Sequence, residues 1–253
     1  MSLSVEVRGS GPGLLLAHGA GGSTAANFPF IDELAGKRTV VAPDYPGSGG
    51  TPKAEQPLEL DRLVDEVVAS AVDAGVETFG VLGYSMGTTV AVRAAVRYPE
   101  RVTSLVLTAG FAAADRHFRL NLDLWQQLLD GPDREALARF VLLNCFSPAA
   151  LNSIDDWDEV FRGTADGVPV GTGDHLDLLR TVDVRADLPK ISVPTLVVAT
   201  TRDTLVSPHN SGELAAKIPG ARLVEVDSGH LIGAENPKPW LAAIQDFLGW
   251  ASR

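Results

Sequence analysis

Gly83-Tyr84-Ser85-Met86-Gly87 follows the apolar run Thr78-Phe79-Gly80-Val81-Leu82 and leads at once into a segment of helical character. A strand before and a helix after is the setting in which a G-x-S-x-G turn thrusts a serine hydroxyl out at the top of a sheet. The turn is so tight that the residues at its two ends need almost no side chain, hence glycine at both. The next backbone N–H, that of Met86, points into the same space as the hydroxyl. The plain alternative is a glycine-rich turn that closes a strand onto a helix and does no chemistry.

Outward from this turn the chain alternates strands with helices. Leu3 to Val7 alternates apolar with polar residues, as a half-exposed strand does, and Gly9 to Gly13 makes a turn. Leu14-Leu15-Leu16-Ala17 and Val40-Val41-Ala42 read as fully buried strands. From Leu60 the positions Leu63, Val64, Val67, Val68, Ala71 and Val72 fall at helical spacing, with Gly75 placed to close the helix. The helix after the serine stops at Tyr98-Pro99, and Val102 to Leu107 is a further strand. Alternation resumes at Pro194 to Ala199, then at Arg222 to Val226, and a last helix carries Trp240, Leu241, Ile244, Phe247 and Leu248 on one face. The pattern predicts an α/β fold: a mostly parallel twisted sheet with helices on both faces.

Between Phe111 and about Lys190 the texture changes to helical spacing with little strand character. Leu122, Trp125, Leu128 and Leu129 share one face, and Leu137, Phe140, Val141 and Asn144 another. Residues 112–190 are expected to form a helical lid inserted between two parts of the core, 1–111 and 191–253.

A serine hydroxyl is a poor nucleophile near neutral pH unless a base takes its proton as it attacks. The base is usually a histidine whose tautomer is fixed by a carboxylate. In open parallel sheets such groups gather at the carboxyl ends of strands. Asp203 lies just past the strand that ends at Ala199-Thr200, and His230 follows the strand Arg222–Val226 in the loop Asp227-Ser228-Gly229-His230. The candidate catalytic residues are therefore Ser85, Asp203 and His230, in the chain order serine, aspartate, histidine.

With these are Leu16-Ala17-His18-Gly19-Ala20-Gly21-Gly22, Pro43-Asp44-Tyr45-Pro46-Gly47-Ser48-Gly49 and the run Pro194 to Asp203. The set resembles the successive signatures of the α/β-hydrolase family and covers nearly the whole chain outside residues 112–190. It is most similar to the bacterial group of small esterases, enol-lactone hydrolases, carbon–carbon hydrolases and cofactor-free haloperoxidases. The resemblance implies that the backbone N–H groups of Ala20 and Met86 form an oxyanion hole, and that neither cofactor nor metal is required. Two departures stand out. Ser48 occupies the place where relatives more often carry histidine, and the amino-terminal hairpin is short, so the sheet is expected to lack an edge strand.

Rivals for each role are present. Asp115 follows an earlier strand where some relatives place the acid; Asp227 is too near His230 in sequence to orient it, and Asp44 is expected to brace its own loop. His18 is expected to be structural beside the oxyanion loop, His117 and His175 to be exposed in the lid, and His209 to lie on the surface. Asp155 to Glu159 lacks the central glycine of a calcium loop and reads as a solvated helix face. Gly19, Gly21 and Gly22 follow a strand, but Thr24 stands where a dinucleotide fingerprint needs its third glycine. Of the lid aromatics Phe111, Phe118, Trp125, Phe140, Phe146, Trp157 and Phe161, most are expected to be core. Tyr84 and Trp125 are the candidates for contact with substrate.

The chain of 253 residues carries a formal charge of −11, which disfavours nucleic acid and anionic membrane surfaces as partners. Cys145 is the single cysteine, so no intrachain disulfide forms. The first residues lack the basic start and apolar run of a signal peptide, and no apolar run is long enough to span a bilayer. A cytoplasmic protein acting on a small molecule and water is expected. The reaction expected first is hydrolysis of a small, fairly apolar carboxylic ester, thioester or lactone through an acyl-enzyme. Cleavage of a carbon–carbon bond in an activated diketone, with Arg116, Arg119 and Asn121 as polar lid groups, is the alternative. A receptor-like binding module with little turnover is a third reading.

Overall fold

Leu14 and Leu16 pack into one hydrophobic cluster while Leu15 and Ala17 pack into another, which is the two-residue period of a strand buried on both faces. The computed structural model describes residues 2–251. Its first half runs β1 (Val5–Arg8), β2 (Gly13–Ala17), the short helices α1 (Thr24–Asn27) and α2 (Ile31–Ala35), β3 (Thr39–Pro43) and α3 (Leu60–Asp73). β4 (Phe79–Tyr84), α4 (Met86–Arg97) and β5 (Val102–Thr108) follow. Five helices come next: α5 (Arg116–Asp130), α6 (Arg134–Cys145), α7 (Pro148–Asn152), α8 (Trp157–Asp166) and α9 (Thr172–Thr181). The chain ends with β6 (Thr195–Thr200), α10 (Pro208–Lys217), β7 (Arg222–Val226), α11 (Ile232–Glu235) and α12 (Pro237–Ala251).

The seven strands form one sheet in the order β1-β3-β2-β4-β5-β6-β7, with β1 antiparallel to β3 and the other pairs parallel. The expected amino-terminal hairpin is not one. β3 lies between β1 and β2, so β1 is the sheet edge and pairs only across β3. The turn at Gly9 to Gly13 carries the chain over that gap, with Gly9 at φ +76 against the backbone of Ala35 and Arg38.

One face of the sheet is covered by α3 and α4, whose Leu63, Val64, Val67, Val90 and Ala91 are fully buried. Gly75, at φ +79, closes α3 as its position implied. The other face is covered by α2 and α12 through Leu34, Trp240, Ile244 and Phe247. Trp240 also donates its indole N–H to Thr108 Oγ1 at 2.9 Å, so truncating it to alanine removes packing and a hydrogen bond together, at roughly 3–5 kcal/mol. The five helices α5–α9 sit between β5 and β6 in the chain, beyond the carboxyl ends of the strands, and their buried residues Phe118, Leu122, Leu137 and Leu176 join the first core cluster. Among the described residues no helix is long and apolar enough to cross a membrane.

Candidate active site

Ser85 sits between β4 and α4 at φ 52, ψ −118, a conformation that non-glycine residues rarely adopt. The glycines around it are there for clearance. A Cβ on Gly83 would lie 2.5 Å from the carbonyl oxygen of Gly87, and one on Gly87 would lie 1.9 Å from the carbonyl oxygen of Ala17. The strained turn is held from outside: Ser85 N–H donates to Thr108 O, and its carbonyl accepts from Thr88 N–H and Thr88 Oγ1.

β6 and β7 are neighbours, so the loops at their carboxyl ends meet. Thr201 N–H donates to Val226 O and Arg202 N–H to Ser228 O, which ties the two loops together. His230 Nδ1 comes to 2.6 Å from Asp203 Oδ2, and His230 Nε2 to 3.0 Å from Ser85 Oγ. A carboxylate can only accept, so the ring proton stays on Nδ1 and Nε2 faces the hydroxyl as an acceptor. Asp203 is fixed by three further donors: Leu205 N–H and Val206 N–H to Oδ1, and Thr200 Oγ1 to Oδ2. All three side chains are buried, which raises the strength of each contact relative to water. The arrangement can pass a proton from the serine to the imidazole and stabilise the cation that results.

Gly229 allows the histidine loop to pass against the turn after α6; a Cβ there would come within 2.7 Å of Cys145 O and Ser147 N. Leu231 N–H donates to Cys145 O, and Glu235 receives Gly229 N–H and Ser147 N–H on one oxygen. Nothing in the local sequence marked Glu235 as a brace; one partner is 6 residues from it and the other 88.

Met86 is the first residue of α4, and the first N–H groups of a helix have no acceptor within it. Ala20 stands in a loop between two occupied amides: Gly19 N–H donates to Asn27 Oδ1 at 2.8 Å and Gly21 N–H to His175 Nδ1 at 3.3 Å. Among the described residues Ala20 N–H has no protein acceptor. A Cβ placed on Gly19 would be 3.2 Å from Ser85 Cβ, so this loop passes directly over the serine.

A cavity of about 260 Å³ opens onto Ser85 and His230. Tyr84 and Trp125 line it, as do Phe118, Val141, Leu179 and Leu205, and among the described residues no Lys, Arg, Asp or Glu side chain does. Tyr84 donates its hydroxyl to His230 O at 2.8 Å, and burial pushes that phenol well above its ordinary pKa. Burial, with Asp203 nearby, likewise pushes the Cys145 thiol up, so this cavity-lining cysteine stays protonated.

The rivals fall elsewhere. Asp115 caps α5 by accepting Phe118 N–H and also accepts Asn210 Nδ2. Asp227 is exposed and pairs with Arg202. Asp44 accepts Gly50 N–H of its own loop and Thr24 N–H of α1. His18 is buried, its Nε2 accepting Tyr45 N–H and its Nδ1 facing Gly19 O. His117 and His209 are exposed, and Asp155 to Glu159 is a solvated stretch in which Asp156 caps α8.

Two expectations are corrected. His175 is not exposed but fully buried, because the start of α9 packs onto the Pro46-Gly47 loop and carries the ring against the 19–22 loop. Arg116, Arg119 and Asn121 do not reach over the serine: Arg116 is exposed, Arg119 donates to Ala114 O, and Asn121 donates to Thr204 O and Leu205 O. Of the aromatics between Phe111 and Phe161, Phe118 and Trp125 line the cavity, and Trp157 is exposed beside Phe161.

Comparison with known proteins gives the family. A profile of the alpha/beta hydrolase fold matches residues 12–237. A pyrrolizixenacetamide deacetylase of Xenorhabdus hominickii is 33% identical over 260 residues, covering 97% of this chain and 94% of the relative. A pimeloyl-[acyl-carrier protein] methyl ester esterase of Aeromonas hydrophila is 30% identical, covering 98% of this chain and 100% of the relative. The crystal structure of a hydrolase from Pseudomonas aeruginosa superposes with a TM-score of 0.86 at 28% identity, over 98% of this chain and 94% of that one. The chain is an enzyme of the hydrolase type, and it belongs to the alpha/beta hydrolase fold family.

Proposed function

We propose that this enzyme is a serine hydrolase of small, neutral, fairly apolar acyl compounds: carboxylic esters, thioesters or lactones. The observation that carries the reading is the chain of contacts Ser85 Oγ, His230 Nε2, His230 Nδ1 and Asp203 Oδ2 at the floor of an apolar cavity with no charged wall among the described residues. Ser85 Oγ attacks the carbonyl carbon as His230 takes its proton, and Asp203 stabilises the imidazolium. The N–H groups of Ala20 and Met86 hold the oxyanion of the tetrahedral intermediate, each donor being worth about 10²–10³-fold in rate. The imidazolium returns its proton to the leaving group as the acyl-enzyme forms. A water deprotonated by His230 then attacks the acyl carbon, and Ser85 leaves with the proton restored. The reading treats residues 112–190 as a lid over the core formed by 1–111 and 191–253, with Tyr84 and Trp125 in contact with substrate, and places the enzyme in the cytoplasm.

The cavity is below the roughly 300–1,000 Å³ of sites for drug-sized ligands, which supports a short acyl or alcohol portion. One relative is named a deacetylase, so a small acetamide belongs among the substrates to be tried. Carbon–carbon cleavage is less well supported, because the polar lid side chains it called for bond elsewhere. A receptor-like module would bind without turnover. The test is a panel of aryl esters, thioesters, lactones and acetamides of graded acyl length, with covalent labelling by a fluorophosphonate probe. The wild type is expected to label and to turn over short neutral acyl compounds, and Ser85→Ala to do neither. Full labelling of Ser85→Ala would overturn the serine's role.

A further inference from the structure

Three glycines, Gly19, Gly21 and Gly22, flank the amide that the proposed oxyanion hole depends on, and Gly21 sits at φ +63. Glycine takes either sign of φ readily, so this loop does not hold the Ala20 N–H in one direction by its own backbone preference. Outside contacts must do so. On the amino-terminal side Asn27 Oδ1 accepts Gly19 N–H, a brace from the same part of the core. On the carboxyl-terminal side the hydrogen-bonded brace is His175, which lies 154 residues further along the chain on α9.

The His175 ring is shaped for that task. Nε2 lies 3.0 Å from the carbonyl oxygen of Pro46, which can only accept, so the ring proton is on Nε2 and Nδ1 is free to accept Gly21 N–H. Burial pulls the ring's pKa down to about 4, so it is neutral at working pH and keeps this tautomer. Its edge meets Tyr45 and His18, which stack on each other with centroids 3.9 Å apart. α9 is brought down onto the core by a backbone bond, Gly171 N–H to Gly47 O at 3.0 Å, at a crossing where both residues are glycine because a Cβ on either would meet the other's backbone.

We infer that His175 is a positioning residue: by holding the Gly21 amide from the helical insertion, it fixes the direction of the Ala20 N–H toward the oxyanion. This rests on the serine-hydrolase reading, since it assigns the Ala20 amide its use. It also gives the insertion a part in catalysis beyond walling the cavity, because the insertion then supplies one end of the oxyanion loop's support.

The test compares His175→Gln, His175→Asn and His175→Leu with wild type. Gln can span from an amide donor to a carbonyl as the ring does; Asn is too short for both, and Leu makes neither bond. Measured quantities are kcat and KM on the best aryl ester of the panel, inhibition by a trifluoromethyl ketone of the same acyl group, and Tm. For Leu and Asn, kcat is expected to fall about 10- to 100-fold with KM changed less than threefold, below the full loss of an oxyanion donor. Affinity for the ketone should fall by the same factor as kcat, because it is the tetrahedral adduct that feels the amide. Gln should recover most of both.

Wild-type kcat and ketone affinity in Leu would overturn the inference. Equal losses in Gln and Asn, tracking Tm, would also overturn it by showing a merely structural ring. If Leu fails to fold, the Gln and Asn comparison decides by the same criteria. Ser85→Ala separates the two levels: turnover retained there sinks the serine reading, whereas a dead Ser85→Ala beside unaffected His175 variants sinks only this inference.

Discussion

Tyr84 Oη donates to the backbone carbonyl of His230 at 2.8 Å, so the side chain that precedes Ser85 holds the main chain of the histidine that faces it. The link joins the end of β4 to the loop after β7, strands with two others between them in the sheet. Tyr84→Phe leaves the ring in place and removes only the donor. A buried carbonyl that loses a partner costs about 1–3 kcal/mol, less whatever Ile232 N–H, which also reaches this oxygen, retains. For a chain of this size about 1 kcal/mol corresponds to a Tm lowered by roughly 2–4 °C. Thermal unfolding is expected to show that shift, with kcat reduced several-fold. An unchanged Tm together with an unchanged kcat would mean the bond holds nothing.

Asp203→Asn addresses the tautomer. The two N–H groups of Leu205 and Val206 select the amide oxygen for the Oδ1 position, which turns the NH₂ toward His230. His230 Nδ1 must then accept, its proton moves to Nε2, and the base toward Ser85 Oγ is lost. The expected loss in kcat is on the order of 10⁴-fold with little change in KM, as for a triad locked in the wrong tautomer. A loss of less than tenfold would mean that Asp203 does not set the ring's protonation.

Ser85 carries backbone strain of roughly 1–3 kcal/mol at φ 52, ψ −118. Ser85→Gly and Ser85→Ala both remove the hydroxyl, but only glycine relaxes the strain. Its greater freedom in the unfolded chain offsets part of the gain. Urea unfolding of the two inactive variants should place Ser85→Gly about 1 kcal/mol above Ser85→Ala. If Ser85→Ala is the more stable, the turn stores no strain that glycine relieves.

Two buried histidines set a stability limit on the acid side. Burial lowers His18 to about 3, with the charge of His175 adding to the effect, and lowers His175 to about 4. The contacts to Gly19 O and Pro46 O and the charges of Asp44 and Asp174 pull the other way without prevailing. In the unfolded chain both rings take up a proton near pH 6.5. Between about 6.5 and 4 the unfolded state therefore binds more protons than the native one, so stability rises with pH across this window and is lost as pH falls through it. The slope is on the order of 1 kcal/mol per pH unit for each ring. Urea midpoints measured from pH 7.5 to 5 should decline, and His175→Gln should flatten that decline. Identical curves for the two proteins would show that His175 is not held neutral by the fold.

Much of this was legible because it is local. Hydrophobic period told buried strands from amphipathic helices, and the strand from Arg222 to Val226 has the same ends in the sequence reading and in the fold. The turn at Gly83 to Gly87 could be read from its own five residues, although only the clearance at Gly83 is local; that at Gly87 is against Ala17 of β2. Ser85, Asp203 and His230 could be named because each follows a strand, and parallel strands bring their carboxyl ends to one edge of the sheet.

Tertiary structure decided what depends on one chain segment crossing another. The pairing of β1 with β3 rather than β2 is set by where strands dock, not by their own pattern. His175, on a helix with polar neighbours, reads as a surface residue; it is buried because Gly47 and Gly171 let α9 descend onto the core. The same helix start sets Thr172 against Gly21, whose notional Cβ would be 3.3 Å from its Cγ2. Arg119 and Asn121 were plausible polar groups for the cavity until backbone carbonyls at Ala114, Thr204 and Leu205 took them. The sequence by itself determined which candidate groups follow strand ends and in what order, because each strand and turn can be read from its own residues. The apolar lining of the cavity and the support of the 19–22 loop came only from the fold, because they depend on which distant side chains fill the space around the serine.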